Sequence, residues 1–185
     1  MSDVAFDFVS ENGAVTVSLT KDFLALSSRK YERWEDFRHV LLEVWEAVRR
    51  EYQPAFISRV GLRYRNIIRR SQLDLGDTAW SSLLKPHILG VLQEPSVAEK
   101  VVSSSQEVHL SDGPAEQLRI RHGLTKAGDA KEVSYLIDSD FFTEEKVPCD
   151  RAQDTLDRFH LDANRLFQWC IQRGLHDALR PQVLG

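Results

Sequence analysis

Hydrophobic and polar positions follow two different periods along this chain, and each period predicts a different element. Apolar and polar residues alternate from Val4 to Val9 and from Ala14 to Leu19, and a period of two is typical of β-strands. Asn12-Gly13 lies between the two runs, and an Asn-Gly pair in that position indicates a tight hairpin. This part of the chain is therefore predicted to form two antiparallel strands.

Apolar residues recur at every third or fourth position in two longer stretches. One runs from Trp34 to Tyr52 and stops before Pro54, and the other runs from about Asp150 to Arg173. This spacing places the apolar side chains on one face of an α-helix. Asp150 is a candidate N-cap of the second helix, and Gly174 is a candidate C-terminal stop.

The region between these two helices contains four segments with strand-like patterns and one helical pattern. The predicted strands cover about 56–69, Val97–Leu110, Leu118–Leu124 and Glu132–Phe142. A shorter helix, kinked by Pro86, is predicted between Trp80 and Val91. The predicted order of elements is thus β-β-α-β-α-β-β-β-α.

This order predicts an α+β fold, because strands joined by short turns pair antiparallel and long helices then cover the sheet. We expect one antiparallel sheet of about five or six strands, with the long amphipathic helices packed on one face. The chain has 185 residues and no internal repeat or composition shift. Residues 1–175 are therefore predicted to form a single domain, and residues 176–185 a frayed C-terminal tail.

An unusual charge pattern marks the segment from Phe56 to Arg70. In a strand, alternate side chains point to opposite faces. One face would carry Val60, Leu62, Tyr64 and Ile68, with Asn66 among them, and the other would carry Arg59, Arg63, Arg65 and Arg69. Arg119 and Arg121 repeat this alternation on a later strand. We expect all six arginines to share the open face of the sheet.

Two interpretations of these arginines remain open at the level of the sequence. Glu132, Asp138 and Asp140 alternate onto one face of a neighbouring strand, and opposite charges across strands commonly pair. Alternatively, the arginines bind something anionic from outside: a phosphate, an RNA backbone or an acidic protein partner. On this second interpretation the binding residues are Arg59, Arg63, Arg65, Arg69, Arg119 and Arg121.

Asp138 and Asp140 are also candidate metal ligands, because two carboxylates two positions apart on a strand point the same way. A catalytic metal site normally needs a third ligand, and no nucleotide-binding glycine motif, HExxH or Cys/His cluster accompanies them. No GxSxG nucleophile motif is present either. The sequence therefore predicts no cofactor, no metal site and no catalytic residues, and does not favour an enzyme.

Composition narrows the class of protein. The formal net charge is −4, which gives no overall attraction to nucleic acid, although arginines outnumber lysines by 17 to 7. No apolar run approaches the length of a membrane span. Cys149 and Cys170 are too few for a disulfide framework, and no secretion signal is seen. We expect a cytoplasmic protein without membrane association.

Several of these segments together resemble a sporadically distributed prokaryotic family of uncharacterised proteins. The resemblance covers about Val4 to Ile171, and its most specific part is an RVGLRYxN strand motif at Arg59–Asn66. The matching residues are Asp22–Leu26, Tyr31, Trp34, Phe37, Ser58–Tyr64, Asn66, Ile68, Ile137–Asp140, Asn164, Phe167 and Ile171. Family members usually carry additional N-terminal sequence, so the chain resembles a short or N-terminally truncated member. Arg65 departs from the usual pattern, which has an apolar residue there, and adds charge to the arginine-bearing side.

The resemblance implies no established activity, but the patchy distribution of the family suggests mobile or defence-associated genes. We therefore expect a non-catalytic protein-interaction module, with a protein partner or self-association, in a phage-defence or toxin-related system. Two alternatives remain. One is nucleotide or nucleic-acid binding through the arginines, and the other is a metal-dependent enzyme centred on Asp138 and Asp140.

Overall fold

Two antiparallel β-sheets and several helices make up the computed structural model, which describes residues 4–126 and 132–179. The α+β class and the antiparallel pairing predicted from the sequence are confirmed. The prediction of one sheet of five or six strands is wrong, because the strands form separate sheets of three and four. Backbone contacts divide the chain into two compact units, residues 1–55 and 56–185, a division that the residue pattern did not indicate.

The first unit contains the three-stranded sheet and one long helix. Strands β1 (Phe6–Val9), β2 (Val15–Leu19) and β3 (Leu24–Ser28) pair in chain order, and helix α1 spans Trp34–Tyr52. The predicted hairpin is confirmed, since β1 and β2 pair antiparallel across a turn. Gly13 adopts a φ of +65° in that turn, a conformation that glycine reaches without the steric cost of a side chain.

Strand β3 is absent from the order predicted from the sequence. The apolar residues Leu24 and Leu26 lie opposite Leu19 and Val17 of β2, so the segment extends the hairpin into a third strand. Burial alternates along β3 between half-buried and exposed positions, as expected for a strand with one covered face. The observed order therefore begins β-β-β-α.

The second unit contains the four-stranded sheet, whose spatial order is β4-β7-β6-β5. The strands are β4 (Gly61–Ile68), β5 (Ser104–Ser111), β6 (Gln117–Lys126) and β7 (Val133–Phe142). Every neighbouring pair is antiparallel. Strands β7 and β6 occupy the centre, whereas β4 and β5 form the two edges.

Several short helices replace the single kinked helix that the sequence predicts in this region. The kinked helix between Trp80 and Val91 is instead α2 (Trp80–Leu83), α3 (Pro86–Leu89) and a 3-10 helix, Gly90–Gln93. Proline disfavours the helical region in the residue before it, so Pro86 begins a new helix. A further 3-10 helix covers Arg70–Leu73.

The strand predicted over Val97–Leu110 is shorter at its beginning. Helix α4 covers Pro95–Ala98, and β5 begins only at Ser104. The carboxylate of Glu94 accepts a hydrogen bond from the amide of Ser96, which is an N-cap interaction. With Pro at the first helical position, this cap favours one helical turn over extended chain.

The C-terminal helix ends earlier than its apolar pattern predicts. Helix α5 spans Ala152–Cys170, and α6 spans Arg173–Ala178, so Gly174 lies inside a helix and does not act as a stop. The predicted N-cap, Asp150, lies one residue before the observed cap position, Arg151. Part of the predicted frayed tail, up to Ala178, is helical, because α6 buries Leu175 completely. Residues 180–185 of that tail lie outside the described residues.

One face of the four-stranded sheet packs against these helices. Its buried cluster combines residues of β4 and β7 with residues from α2, α3, α6 and the end of α5. The members of this cluster are Ile68, Leu83, Leu84, Ile88, Leu89, Leu92, Tyr135, Ile137, Cys170, Ile171 and Leu175. Burial raises the pKa of the Cys170 thiol to about 12, as expected for a thiol that packs as a small apolar side chain. The opposite face of the sheet carries the charged residues.

The Tyr135 hydroxyl is a polar group inside this cluster, and its loss is expected to destabilise the protein. It donates a hydrogen bond to the carbonyl oxygen of Ile88 and contacts His122 Nδ1 at 3.0 Å. Tyr135→Phe leaves both groups buried without this partner, so we expect a loss of about 1–2 kcal/mol of unfolding free energy in urea denaturation. Tyr52→Phe, at an exposed site, is the matched control. Equal stability of the two variants would contradict the assignment.

Candidate functional site

The register of the four-stranded sheet brings six charged residues together on one face. Two adjacent cross-strand rows each place an aspartate of β7 between an arginine of β4 and an arginine of β6. The rows are Arg63–Asp140–Arg119 and Arg65–Asp138–Arg121. Arg59 precedes β4 and joins the group through Asp140. We name these seven residues the arginine face: Arg59, Arg63, Arg65, Arg119, Arg121, Asp138 and Asp140.

Asp138 is the centre of the arginine face. Its side chain is 4% exposed, and both of its oxygens accept hydrogen bonds from Arg63, Nε to Oδ1 at 2.7 Å and Nη2 to Oδ2 at 2.7 Å. Arg121 Nη2 donates to Oδ2 at 3.1 Å. Arg65 Nε lies 3.7 Å from the same oxygen, a longer ion-pair contact. Asp138 thus anchors two guanidiniums directly and a third more loosely.

The titration behaviour of this group follows from these contacts. Burial alone raises the pKa of Asp138, but the hydrogen bonds and charges of Arg63 and Arg121 outweigh burial and hold the pKa below its ordinary value. The hydrogen bond to Asp138 correspondingly raises the pKa of Arg63, against the opposing effect of burial. Both charges therefore persist at neutral pH, and the bidentate geometry is the strong form of this ion pair.

Asp140 and Phe142 support the other end of the arginine face. Arg59 Nη2 donates to Asp140 Oδ2 at 3.1 Å, and the Arg59 guanidinium lies 4.5 Å from the centre of the Phe142 ring. Arg119 lies over the same ring at 5.8 Å. Phe142 has the same strand parity as the two aspartates, so the sequence contains a signal that its ring lies on the side of the arginines. Its ring provides a cation–π platform.

The arginine face carries excess positive charge that remains accessible. Five arginines and two aspartates leave three formal positive charges, and Glu107 of β5, which lies opposite Arg121 on the same side of the sheet, reduces this surplus to two. The side chains of Arg59, Arg63, Arg65 and Arg121 are 47–59% exposed, even though the carboxylate they surround is buried. Internal pairing and external binding were alternatives at the level of the sequence, whereas here pairing organises the arginines without neutralising them.

Two of the predicted participants lie away from this arrangement. Arg69 follows the last residue of β4 and immediately precedes the first 3-10 helix, so it does not continue the alternation within the strand. Glu132, which one of the two interpretations of the sequence pairs with the arginines, does not contact them: its carboxylate accepts hydrogen bonds from the backbone amide and the hydroxyl of Ser71. These hydrogen bonds lower the pKa of Glu132. The turn after β4 brings Ser71 to Glu132.

The two aspartates do share one face, but their surroundings suit guanidinium better than a metal ion. Both oxygens of Asp138 already accept hydrogen bonds, and the positive charge around them opposes a divalent cation. Within 4–126 and 132–179, no three His, Cys, Asp or Glu side chains form a group that could hold a metal. The chemistry that this geometry supports is binding of an anion.

A polar cluster on the opposite face of the sheet was missed from the sequence. The Tyr64 hydroxyl lies 2.9 Å from Nδ1 of His160, and Nε2 of His160 lies 3.1 Å from the amide nitrogen of Asn164. His160 and Asn164 are one helical turn apart on α5, a spacing that predicts contact between them. Only the packing of α5 against β4 could reveal Tyr64 as their partner.

Comparisons with models of protein families, with curated proteins and with solved structures found no match to this chain. Among the helices in the described part of the chain, none is both long and apolar enough to cross a bilayer.

Proposed function

We propose that this protein is a non-catalytic interaction module whose arginine face docks an acidic segment of a partner protein. The observation that carries the proposal is the surplus of exposed guanidiniums fixed around one buried carboxylate. Arginine is the side chain best suited to anchor such an interface, because its planar donors match a carboxylate bidentately.

The contacts divide the arginines into two groups with different roles. Arg63 donates two hydrogen bonds to Asp138, one from Nε and one from Nη2, so its first role is structural. Arg65 is 59% exposed and holds Asp138 only at 3.7 Å, which leaves its donors available to a second carboxylate. Arg119 lies opposite Asp140 in the register and over the Phe142 ring. Arg65 and Arg119 are therefore the proposed contact residues.

The internal pairs also prepare the surface for binding. A free arginine loses about 2 kcal/mol of rotamer entropy when a partner fixes it. Here Asp138, Asp140 and the Phe142 ring already restrict the side chains of their neighbours. Less entropy is then lost on association, and the guanidiniums keep a spacing fixed by adjacent strands. This favours a partner with regularly spaced carboxylates, such as an acidic extended segment.

Binding of a nucleotide or nucleic acid is the second candidate, because five guanidiniums on one face also suit phosphates. One observation favours the acidic protein, since the carboxylates of Asp138 and Asp140 between the arginines repel a phosphate and a partner carboxylate alike. The aromatic ring of the face, Phe142, is 4% exposed beneath guanidiniums, so it offers no stacking surface to a base.

The defence-related role in the proposal rests on the family resemblance alone. That resemblance supports a module acting as an accessory or neutralising component of a phage-defence or toxin-related system. The two-cysteine composition supports a cytoplasmic setting. Identification of the partner tests the defence-related role.

The test compares two double charge reversals in the native host at low salt. Arg65→Glu with Arg119→Glu alters the proposed contact residues and spares the Arg63–Asp138 pair. We expect the wild-type protein to co-purify with a stoichiometric acidic protein, and this variant to lose at least nine tenths of it, since like charges then face each other. The measurement is quantitative mass spectrometry, with nucleic-acid absorbance of the same eluate.

Arg165→Glu with Arg173→Glu is the matched control, because it lowers the net charge by the same four units at highly exposed arginines of α5 and α6. It should retain the partner. Equal retention by both variants would refute the arginine face as the interface. Recovery of nucleic acid alone, lost steeply as salt is raised, would replace the proposal with the phosphate-binding alternative.

A further inference from the structure

Strand β5 presents an unpaired edge of the four-stranded sheet. Its one strand neighbour in the described sheet is β6, so the outer edge of Ser104–Ser111 offers free backbone donors and acceptors. Apolar side chains accompany this edge: Val108 is 42% and Leu110 51% exposed. Edge strands of monomeric proteins are usually blocked by lysine, proline or a bulge. The sequence SSQEVHLS contains neither lysine nor proline, and its eight residues pair with β6 without a bulge.

We propose that β5 pairs antiparallel with β5 of a second copy of this chain, centred on Val108. The two four-stranded sheets then become one continuous sheet of eight strands. Backbone hydrogen bonds provide the affinity in this mode of recognition, and side-chain pairs across the new junction set the register. The occupant of the edge is a second copy because β5 fits itself in one register, which opposes the exposed apolar Val108 to its own counterpart and keeps the two Glu107 carboxylates apart.

Carboxylate repulsion and strand overlap select the register. In a two-fold antiparallel pair, opposed residues have numbers that sum to a constant, and they lie on the same face of the sheet. Centring on Val108 opposes this residue to its own counterpart and pairs residues 105–111 of the two strands. Centring on Glu107 would place two carboxylates directly opposite, which is unfavourable, and centring on His109 would pair only residues 107–111. The Val108 register is therefore preferred.

Pairing of the two β5 strands also determines where the two arginine faces lie. The two-fold axis of such a junction is perpendicular to the sheet, so each face of one copy continues into the same face of the other. The arginine faces of the two copies therefore lie on one side of the joined sheet. The pairing itself uses only β5 and does not depend on the proposed function.

Sedimentation equilibrium of the full chain tests the pairing. We expect a concentration-dependent species of twice the 21.2 kDa monomer mass. Val108→Lys places two ammonium groups against each other at the axis and should weaken the dimer at least tenfold. Val102→Lys, at an 85% exposed site before the strand, is the matched control and should leave the dimer intact. A wild-type monomer at every concentration, or a dimer unaffected by Val108→Lys, would overturn the proposal.

Single cysteines introduced along β5 provide a second measurement, which reports the register directly. Only a residue on the axis faces its own counterpart, at about 4.5–5.5 Å between Cβ atoms. Under mild oxidation Val108→Cys should cross-link to a disulfide dimer, whereas Glu107→Cys and His109→Cys should not exceed the wild-type background from Cys149 and Cys170. Preferential cross-linking at 107 or 109, or none at 108, would overturn the register. Circular dichroism checks that each variant is folded.

Discussion

Asp138→Asn is expected to lower the unfolding free energy by roughly 2–3 kcal/mol at pH 7 and 25 °C. Removing one partner of a buried ion pair typically costs about 3–5 kcal/mol, and the guanidiniums here are about half exposed, so solvent reduces that cost. The substitution keeps the shape of the side chain but leaves Arg63, Arg65 and Arg121 close together without a neutralising charge. Urea denaturation of wild type and variant measures the difference.

The pH dependence of that difference follows from the direction of the pKa shift. The pKa of Asp138 is lower in the folded protein than its ordinary value, which is about 3.9 in an unfolded chain. Its contribution to stability is therefore complete above about pH 5 and is lost as the pH falls through the folded value. The denaturation free energies of wild type and Asp138→Asn should converge below that value.

Asp154→Asn is the matched control, since Asp154 forms an exposed pair with Arg151 on α5. Such surface pairs contribute about 0–1 kcal/mol, so this variant should stay close to wild type at every pH. A loss of less than 1 kcal/mol in Asp138→Asn at pH 7, or a difference that persists unchanged into acid, would show that the carboxylate does not hold the arginine face together.

The sequence predicted the composition of the arginine face better than its internal contacts. Strand parity alone placed Arg63 and Arg65 on one side of β4, and Asp138 and Asp140 on one side of β7. Parity cannot tell which strands are neighbours, and β7 lies between β4 and β6 only in the folded sheet. Arg63 Nη2 lies 2.7 Å from Asp138 Oδ2, whereas Arg65 Nε lies 3.7 Å from the same oxygen. The spacing of residues along the sequence cannot predict this difference in distance.

Several errors in the predicted order of elements have a common physical origin in short elements. Strand β3 and helices α2, α3 and α4 are four or five residues long, too short for a hydrophobic period to be recognised. Their conformations depend on tertiary contacts such as the hydrogen bond from the Lys85 amide to the Cys170 carbonyl. The 19-residue helix α1 contains several full periods, and its bounds follow the apolar spacing.

Gly123 is the second position where one substitution is expected to have a large effect. It lies in β6 opposite Ser105 of β5, with a φ of +148° that side-chain-bearing residues rarely adopt. A Cβ atom there would collide with the Ser104 carbonyl group and lie 2.9 Å from the Cα of Ser105. Because the colliding atoms belong to the backbone, a rotamer change cannot relieve the overlap.

Gly123→Ala should therefore destabilise the protein by roughly 3 kcal/mol or more, from about 1–3 kcal/mol of backbone strain and about 1–3 kcal/mol of overpacking. The strain acts at the junction of β5 and β6, so hydrogen exchange should accelerate first at the amides of Ser104–Ser111. Gly76→Ala is the matched control, because its Cβ meets open space at an ordinary φ. If Gly123→Ala were as stable as Gly76→Ala, with unchanged exchange in β5, the close approach of these strands at Gly123 would be refuted.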